Sequence, residues 1–236
     1  MHDEIQILNE IEKAAGLCKK EYSHSDIIDV MKTENDFEKQ ICILKLQKLE
    51  SQEEADLLVF QLTGHHGLIR EAAAEKISGF VSDKKYRDMF LNENSLNSFL
   101  KAVNDINPNI CRTICCALPY LFKNSQEEKV FFLKNMYNRF DEIFAELEKL
   151  RRSNWYTKKL FNLYWCLEAL ALIEPQVDTE LENILEQASK IRDYTIREKT
   201  AFVLSKIESP SSKLNEIKSR LKTDDNFYVK RYSKAF

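Results

Sequence analysis

The side chains of this 236-residue chain best suited to chemistry are cations set among aromatic rings near its C-terminal end. Arg197, Lys199, Lys230 and Arg231 lie close in sequence to Tyr194, Phe227, Tyr228 and Tyr232. Cations neutralise phosphates or carboxylates, and exposed rings stack on bases or receive apolar side chains. Residues 189–236 carry 12 basic and 6 acidic side chains, a net of +6, whereas residues 1–64 carry 7 and 14, a net of −7. A second aromatic group, Trp155, Tyr156, Phe161, Tyr164 and Trp165, lies upstream. Leu160, Leu163, Tyr164 and Leu167 keep helical spacing and belong to a core, which leaves Trp155 and Phe161 for a ligand-facing side. The expected partner-binding residues are therefore Arg197, Lys199, Lys230, Arg231, Trp155 and Phe161. A domain built for nucleic acid is usually strongly basic, and this chain has a net charge of −3. A protein partner is the first expectation, and nucleic-acid binding through the basic C-terminal helices is the alternative.

The other reactive residue types point away from catalysis. His65 and His66 are adjacent, diverge by about 100° on a helix, and cannot jointly chelate a metal. Cys111 and Cys115 share a helical face with Ile114 and Leu118, where thiols pack as small hydrophobes. Six scattered cysteines with no CxxC pair suggest reduced thiols and a cytoplasmic setting. No nucleophile has a base at a fixed spacing. The sequence thus predicts no catalytic residue, no cofactor and no metal site, and a protein that is not an enzyme. Residues 1–5 lack the pattern of a secretory signal, and the longest apolar run, 163–173, is broken by Glu168, so no membrane role is expected.

The elements that must position these groups are helices. Only four Gly and four Pro argue against a β-sandwich or barrel. A first amphipathic helix is expected over 3–20, a short one near 25–32, and a less regular inner helix over 36–49 containing Phe37, Ile41 and Leu44. Inner helices are then expected over 67–81, 109–123, 154–173, 194–207 and 228–236. Ser51-Gln52-Glu53-Glu54 and Ser125-Gln126-Glu127-Glu128 predict capping boxes, in which a serine hydroxyl and a glutamate satisfy free N–H groups reciprocally. Pro108 marks a helix start, Pro119 a kink, and Pro175 and Pro210 helix ends. The wide interval at 125–154 implies a long outer helix with a basic end, Lys149, Arg151 and Arg152.

A phrase recurs in these inner helices: Ile69-Arg70-Glu71-Ala72, Ile110-Cys111-Arg112-Thr113, Ile196-Arg197-Glu198-Lys199 and, more faintly, residues 229–236. Its intervals, between 32 and 50 residues, are too irregular for tetratricopeptide or ankyrin arrays. The basic residues at the starts, Arg70, Arg112, Lys159, Arg197 and Lys230, predict a ladder tied to turn acids and carbonyls. Together with the run Asp224 to Arg231, the phrase resembles HEAT repeats of the short bacterial kind, which also occur in phycobilin-lyase-like proteins. The resemblance covers roughly residues 50–236. It implies an all-α fold, a right-handed α–α superhelix of about five helical pairs, with 1–50 as a helical cap continuous with the array at 51–236. It also implies a scaffold that binds a partner on the concave face, or else a lyase subunit cradling a tetrapyrrole. HEAT-like hydroxylases carry His-Glu pairs, and this chain has no His-Glu dipeptide. HEAT-like DNA glycosylases use an Asp among aromatics, and here Glu168 is the lone acid of that helix.

Overall fold

The structure, a computed structural model, describes residues 12, 15–33, 35–150, 153 and 155–233. Among them, thirteen α-helices and one 3-10 turn follow residue 20, and no strand occurs. None of these helices is long and apolar enough to cross a membrane. The chain divides into two compact units, Met1–Phe90 and Leu91–Phe236. That division falls well after residue 50, where the sequence suggested a cap would end. The expected helix at 3–20 lies mostly outside the described residues, although 15–19 are helical.

The N-terminal unit contains α1 (His24–Met31), α2 (Asp36–Lys45), α3 (Gln52–Leu62), α4 (Gly67–Ser82), α5 (Lys84–Arg87) and a 3-10 turn at Asp88–Phe90. Within it α1 packs on α2, α3 on α4, and α2 on α4. Helix α1 opens with a full capping box between Ser23 and Asp26. Ser51 caps α3 by accepting the Glu54 N–H at 3.3 Å, but the Glu54 carboxylate reaches one residue further back, to the Glu50 N–H at 2.7 Å. In α2 the buried residues are Ile41, Cys42 and Ile43, with Leu46 and Leu49 just beyond. Phe37 and Leu44, expected on its core side, are exposed. The helix is only ten residues long, and its packing is set by the consecutive run Ile41–Ile43.

The C-terminal unit is four helical pairs: α6 (Glu93–Val103) with α7 (Pro108–Leu121), α8 (Gln126–Lys149) with α9 (Trp155–Ile173), α10 (Thr179–Ser189) with α11 (Tyr194–Ser205), and α12 (Ser212–Lys222) with α13 (Phe227–Ser233). The second helices pack on one another in the order α7, α9, α11, α13, and the first helices in the order α6, α8, α10, α12. The unit is therefore two stacked helical layers in which each pair closes the apolar side of the next. Helix α9 is flanked by α7, α8 and α11, and accordingly it is apolar on most of its circumference, with Leu163, Cys166, Leu167, Ala169 and Leu170 wholly buried.

Local signals set the helix boundaries. Asn107, Asp193 and Ser211 cap α7, α11 and α12 with their side chains, and Pro108 occupies the first turn of α7. Pro119 lies in the last turn of α7, which ends two residues later. Helix α9 stops at Ile173 because Glu174 adopts left-handed backbone (φ 48°) and Pro175 follows. The second expected capping box is absent: Ser125 makes no side-chain cap bond to α8. Its ψ of 70° departs from the extended backbone that aims an N-cap oxygen into the first turn. Helix α8 is long, as expected, at 24 residues; Arg151 and Arg152 at its basic end lie outside the described residues.

Candidate functional site

The second helices open on a shared turn geometry. In the N-terminal unit, Arg70 Nη1 donates to the carbonyls of Gly64 (3.1 Å) and His65 (2.9 Å). In the C-terminal unit, Arg197 Nη1 donates to Ile191 (3.0 Å) and Arg192 (2.6 Å), at the same two offsets. Arg197 also forms a two-pronged ion pair with Asp224, Nε–Oδ2 2.6 Å and Nη2–Oδ1 3.1 Å, which ties the turn before α11 to the turn before α13. Burial opposes ionisation of Asp224, but the Arg197 guanidinium, the Asn226 N–H and Lys230 outweigh it and hold its pKa below the ordinary value. At the matching position in the first turn of α7 stands Cys111, whose Sγ donates to the Asp105 carbonyl at 3.2 Å.

The expected ladder is therefore partial. Arg70 and Arg197 belong to it. Arg112 is one residue out of register, exposed, and without an ion pair among the described residues. Lys159 pairs with Glu146 of the adjoining first helix instead. The phrase places Arg112 one residue later than Arg70 and Arg197 after the leading isoleucine, and on a helix that rotates it away from the turn.

Lys199, expected to face a partner, is turned into the protein. It is buried, donates to Glu168 of α9 at 2.5 Å, and sits over the rings of Tyr164 and Phe202 at 4.7 and 5.3 Å. Burial alone would lower its pKa, but the Glu168 hydrogen bond and charge more than offset this and the net shift is upward. Phe202 continues the contact to Tyr232 of α13, with ring centroids 5.1 Å apart. Arg197 and Lys199 thus join successive second helices. The structure brings Lys230 alongside the Arg197–Asp224 clasp, half-buried, and leaves Arg231 exposed. Trp155 is exposed with Lys158 over its ring at 4.8 Å. Phe161 is half-buried, edge-on to Trp165, and borders a recess of about 360 Å³ with Ile106, Lys158 and Asn162.

Charge sorts between the layers in a way the linear sequence does not display. The second helices of the C-terminal unit carry seven basic and two acidic residues, a net of +5, and the first helices carry nine and eleven, a net of −2. Arg112, Lys158, Lys230 and Arg231 of the basic layer have no ion pair among the described residues. Three of its helices begin on an exposed ring: Trp155, Tyr194 and Phe227. Sequence reading missed this alignment, although each ring directly follows an Asn or Asp: Asn154, Asp193 and Asn226.

Four of the six thiols, Cys42, Cys111, Cys115 and Cys166, are buried. Cys111 is pushed up to about 12 and Cys166 to about 11, chiefly by desolvation, and Cys115 rises for the same reason. One trio with metal-ligand spacing was not foreseen. His24 Nε2 lies 3.0 Å from Glu54 Oε1 and 3.9 Å from Glu50 Oε2, with Lys48 paired to Glu50. Its groups satisfy one another at the starts of α1 and α3, where helix dipoles disfavour a cation.

No family model and no curated protein matches the sequence. Solved structures do match the fold. An engineered protein superposes with a TM-score of 0.56 at 12% identity, covering 91% of this chain and 97% of its own. A designed armadillo repeat protein in complex with the peptide (KR)4 gives 0.55 at 13% identity, covering 91% and 98%. Computationally designed armadillo repeat proteins for modular peptide recognition give 0.53 at 10% identity, covering 90% and 98%. The chain has the all-α helical-repeat fold of the HEAT/armadillo type, an α-solenoid.

Proposed function

We propose that this protein is a non-catalytic repeat scaffold that binds a protein partner on the second-helix layer of its C-terminal unit. The observation that carries the reading is the net +5 of that layer, with four of its cations free of ion pairs among the described residues and exposed rings beside them. Cations held on rigid helices near apolar surface steer and orient a complementary chain. The designed armadillo repeat protein of similar fold is in complex with a basic peptide; a positive layer would repel that ligand and suits an acidic one.

The test is an affinity purification from the native cell with wild type and with the variant Arg112→Glu/Lys158→Glu/Arg231→Glu, none of which has an ion pair among the described residues. Wild type retains a partner and the variant loses it at unchanged thermal stability. Equal retention would remove this face, and substrate turnover without a partner would remove the non-catalytic reading. The same cations and rings support nucleic-acid binding as the second reading. Its signature is affinity for oligonucleotides that falls steeply with salt and vanishes in Lys230→Glu/Arg231→Glu.

A further inference from the structure

We infer that the C-terminal unit receives an extended acidic segment along the edge where its second helices begin, with one apolar side chain of that segment seated in the recess that α8 and the start of α9 form with the turn before α11. This rests on the proposed polypeptide-binding role and specifies its edge and chemistry.

Helices α9, α11 and α13 each present a ring at their first residue: Trp155 (58% exposed), Tyr194 (41%) and Phe227 (66%). Tyr194 stacks on Tyr228 at 6.3 Å, and Phe227 meets Tyr228 edge-on at 5.6 Å. The edge therefore carries two aromatic platforms, Trp155 with Lys158 above it, and the Tyr194–Tyr228–Phe227 group. A recess of about 860 Å³ reaches from Tyr156, next to Trp155, to Asp193, next to Tyr194. Its walls include the apolar side chains of Phe144, Leu147, Leu160 and Ile191. At its margin, Lys190 is paired with Glu186, and the Asp193 carboxylate is engaged by the Thr195 N–H and hydroxyl. Arg192 has no ion pair among the described residues, and Glu148 is the opposing acid. With Lys158, Lys230 and Arg231, four cations without an ion pair among the described residues stand along this edge, against Glu148, Asp193 and the exposed Asp225.

Spacing narrows the occupant. Packed helices lie about 8–10 Å apart. A polyproline II segment rises about 3.1 Å per residue with three residues per turn, so every third side chain returns to one face after about 9 Å. Apolar residues at every third position would meet successive helix starts, and acidic residues between them would meet the cations. Nucleic acid fits less well, because the unit as a whole carries 20 acidic against 23 basic residues, far from a strongly basic domain.

The experiment is fluorescence anisotropy with labelled peptides of Glu-Pro-Leu repeats, the same composition with leucine at alternate positions, and Lys-Pro-Leu repeats, alongside oligo(dT). The Glu-Pro-Leu peptide should bind at least tenfold more tightly than the other probes. Trp155→Ala/Tyr194→Ala, both at exposed sites, should weaken it at least tenfold with an unchanged circular-dichroism melt. Equal binding of the shifted or lysine peptide, stronger binding of oligo(dT), or no effect of the double variant would overturn the inference. The scaffold reading fails separately, if the Arg112/Lys158/Arg231 charge reversal leaves partner recovery intact.

Discussion

The two units use the same helical pair and the same arginine grip on turn carbonyls, yet differ in what their second helices offer. In the N-terminal unit, α2 and α4 carry four basic and four acidic residues and begin at Asp36 and Gly67. In the C-terminal unit, the second helices carry a net +5, and three of the four begin on an exposed ring. Common architecture with unequal surface chemistry separates what the fold needs from what a partner needs. The Arg70 and Arg197 grips occur in both units and so serve the turn; the net positive charge and the exposed rings at first helical residues belong to one layer of one unit.

The largest effect that would sharpen this contrast is on binding. Charge reversal at Lys158, Arg192 and Arg231 should weaken an acidic peptide by about 10- to 100-fold, at roughly 0.5–1 kcal/mol per contact. The matching change at Lys39 and Lys76 in the N-terminal unit should leave anisotropy titrations unaltered; equal losses would erase the distinction.

Next is the clasp between turns. Asp224→Asn should lower stability by about 2 kcal/mol, read as a shift of about 5 °C in Tm, since it removes a charge-assisted two-pronged contact to a mostly buried guanidinium. The folded-state pKa of Asp224 is depressed, so its contribution is fully present above the unfolded carboxylate value, about 3.9, and is lost as pH falls through the lower folded value. Wild type and variant should therefore converge in acid-unfolding titrations below that range.

A smaller effect concerns Lys199 and Glu168. Lys199→Met should cost about 1–2 kcal/mol by leaving a half-buried carboxylate unpaired, and Lys199→Met/Glu168→Leu should recover most of it. Chemical denaturation of both variants checks this; a double variant weaker than the single one would show that the pair itself stabilises the layer. The smallest signal is a thiol count. With DTNB at neutral pH, only Cys18 and Cys116 should react in the native protein, one exposed thiol per unit, and all six after unfolding.

Much of the fold is legible in the residues. Gly67, Pro108 and Tyr194 mark helix starts within a residue of where the helices begin, because caps and proline act over one turn. The Ile-Arg phrase identifies second helices, since the aliphatic residue packs inward and the next side chain reaches the turn. The candidate site is less legible. Arg197 and Lys199 look like surface cations until Asp224, 27 residues away, and Glu168, 31 residues away, are seen to meet them. Ser125 matches Ser51 in its four-residue string, yet its backbone forgoes the cap. Trp155 and Arg231 keep their expected exposure; Phe161 is half claimed by Trp165.

By itself the sequence determined the second helices, their order and most of their buried faces, because these follow from periodicity and caps that operate within a few residues. Only the tertiary structure decided which cations are spent on internal contacts and which remain on the surface. It alone collected helices distant in sequence into a basic layer whose aromatic starts lie along one edge. The physical reason is range: capping and amphipathicity are local, whereas ion pairing and surface charge depend on which side chains the packing brings together.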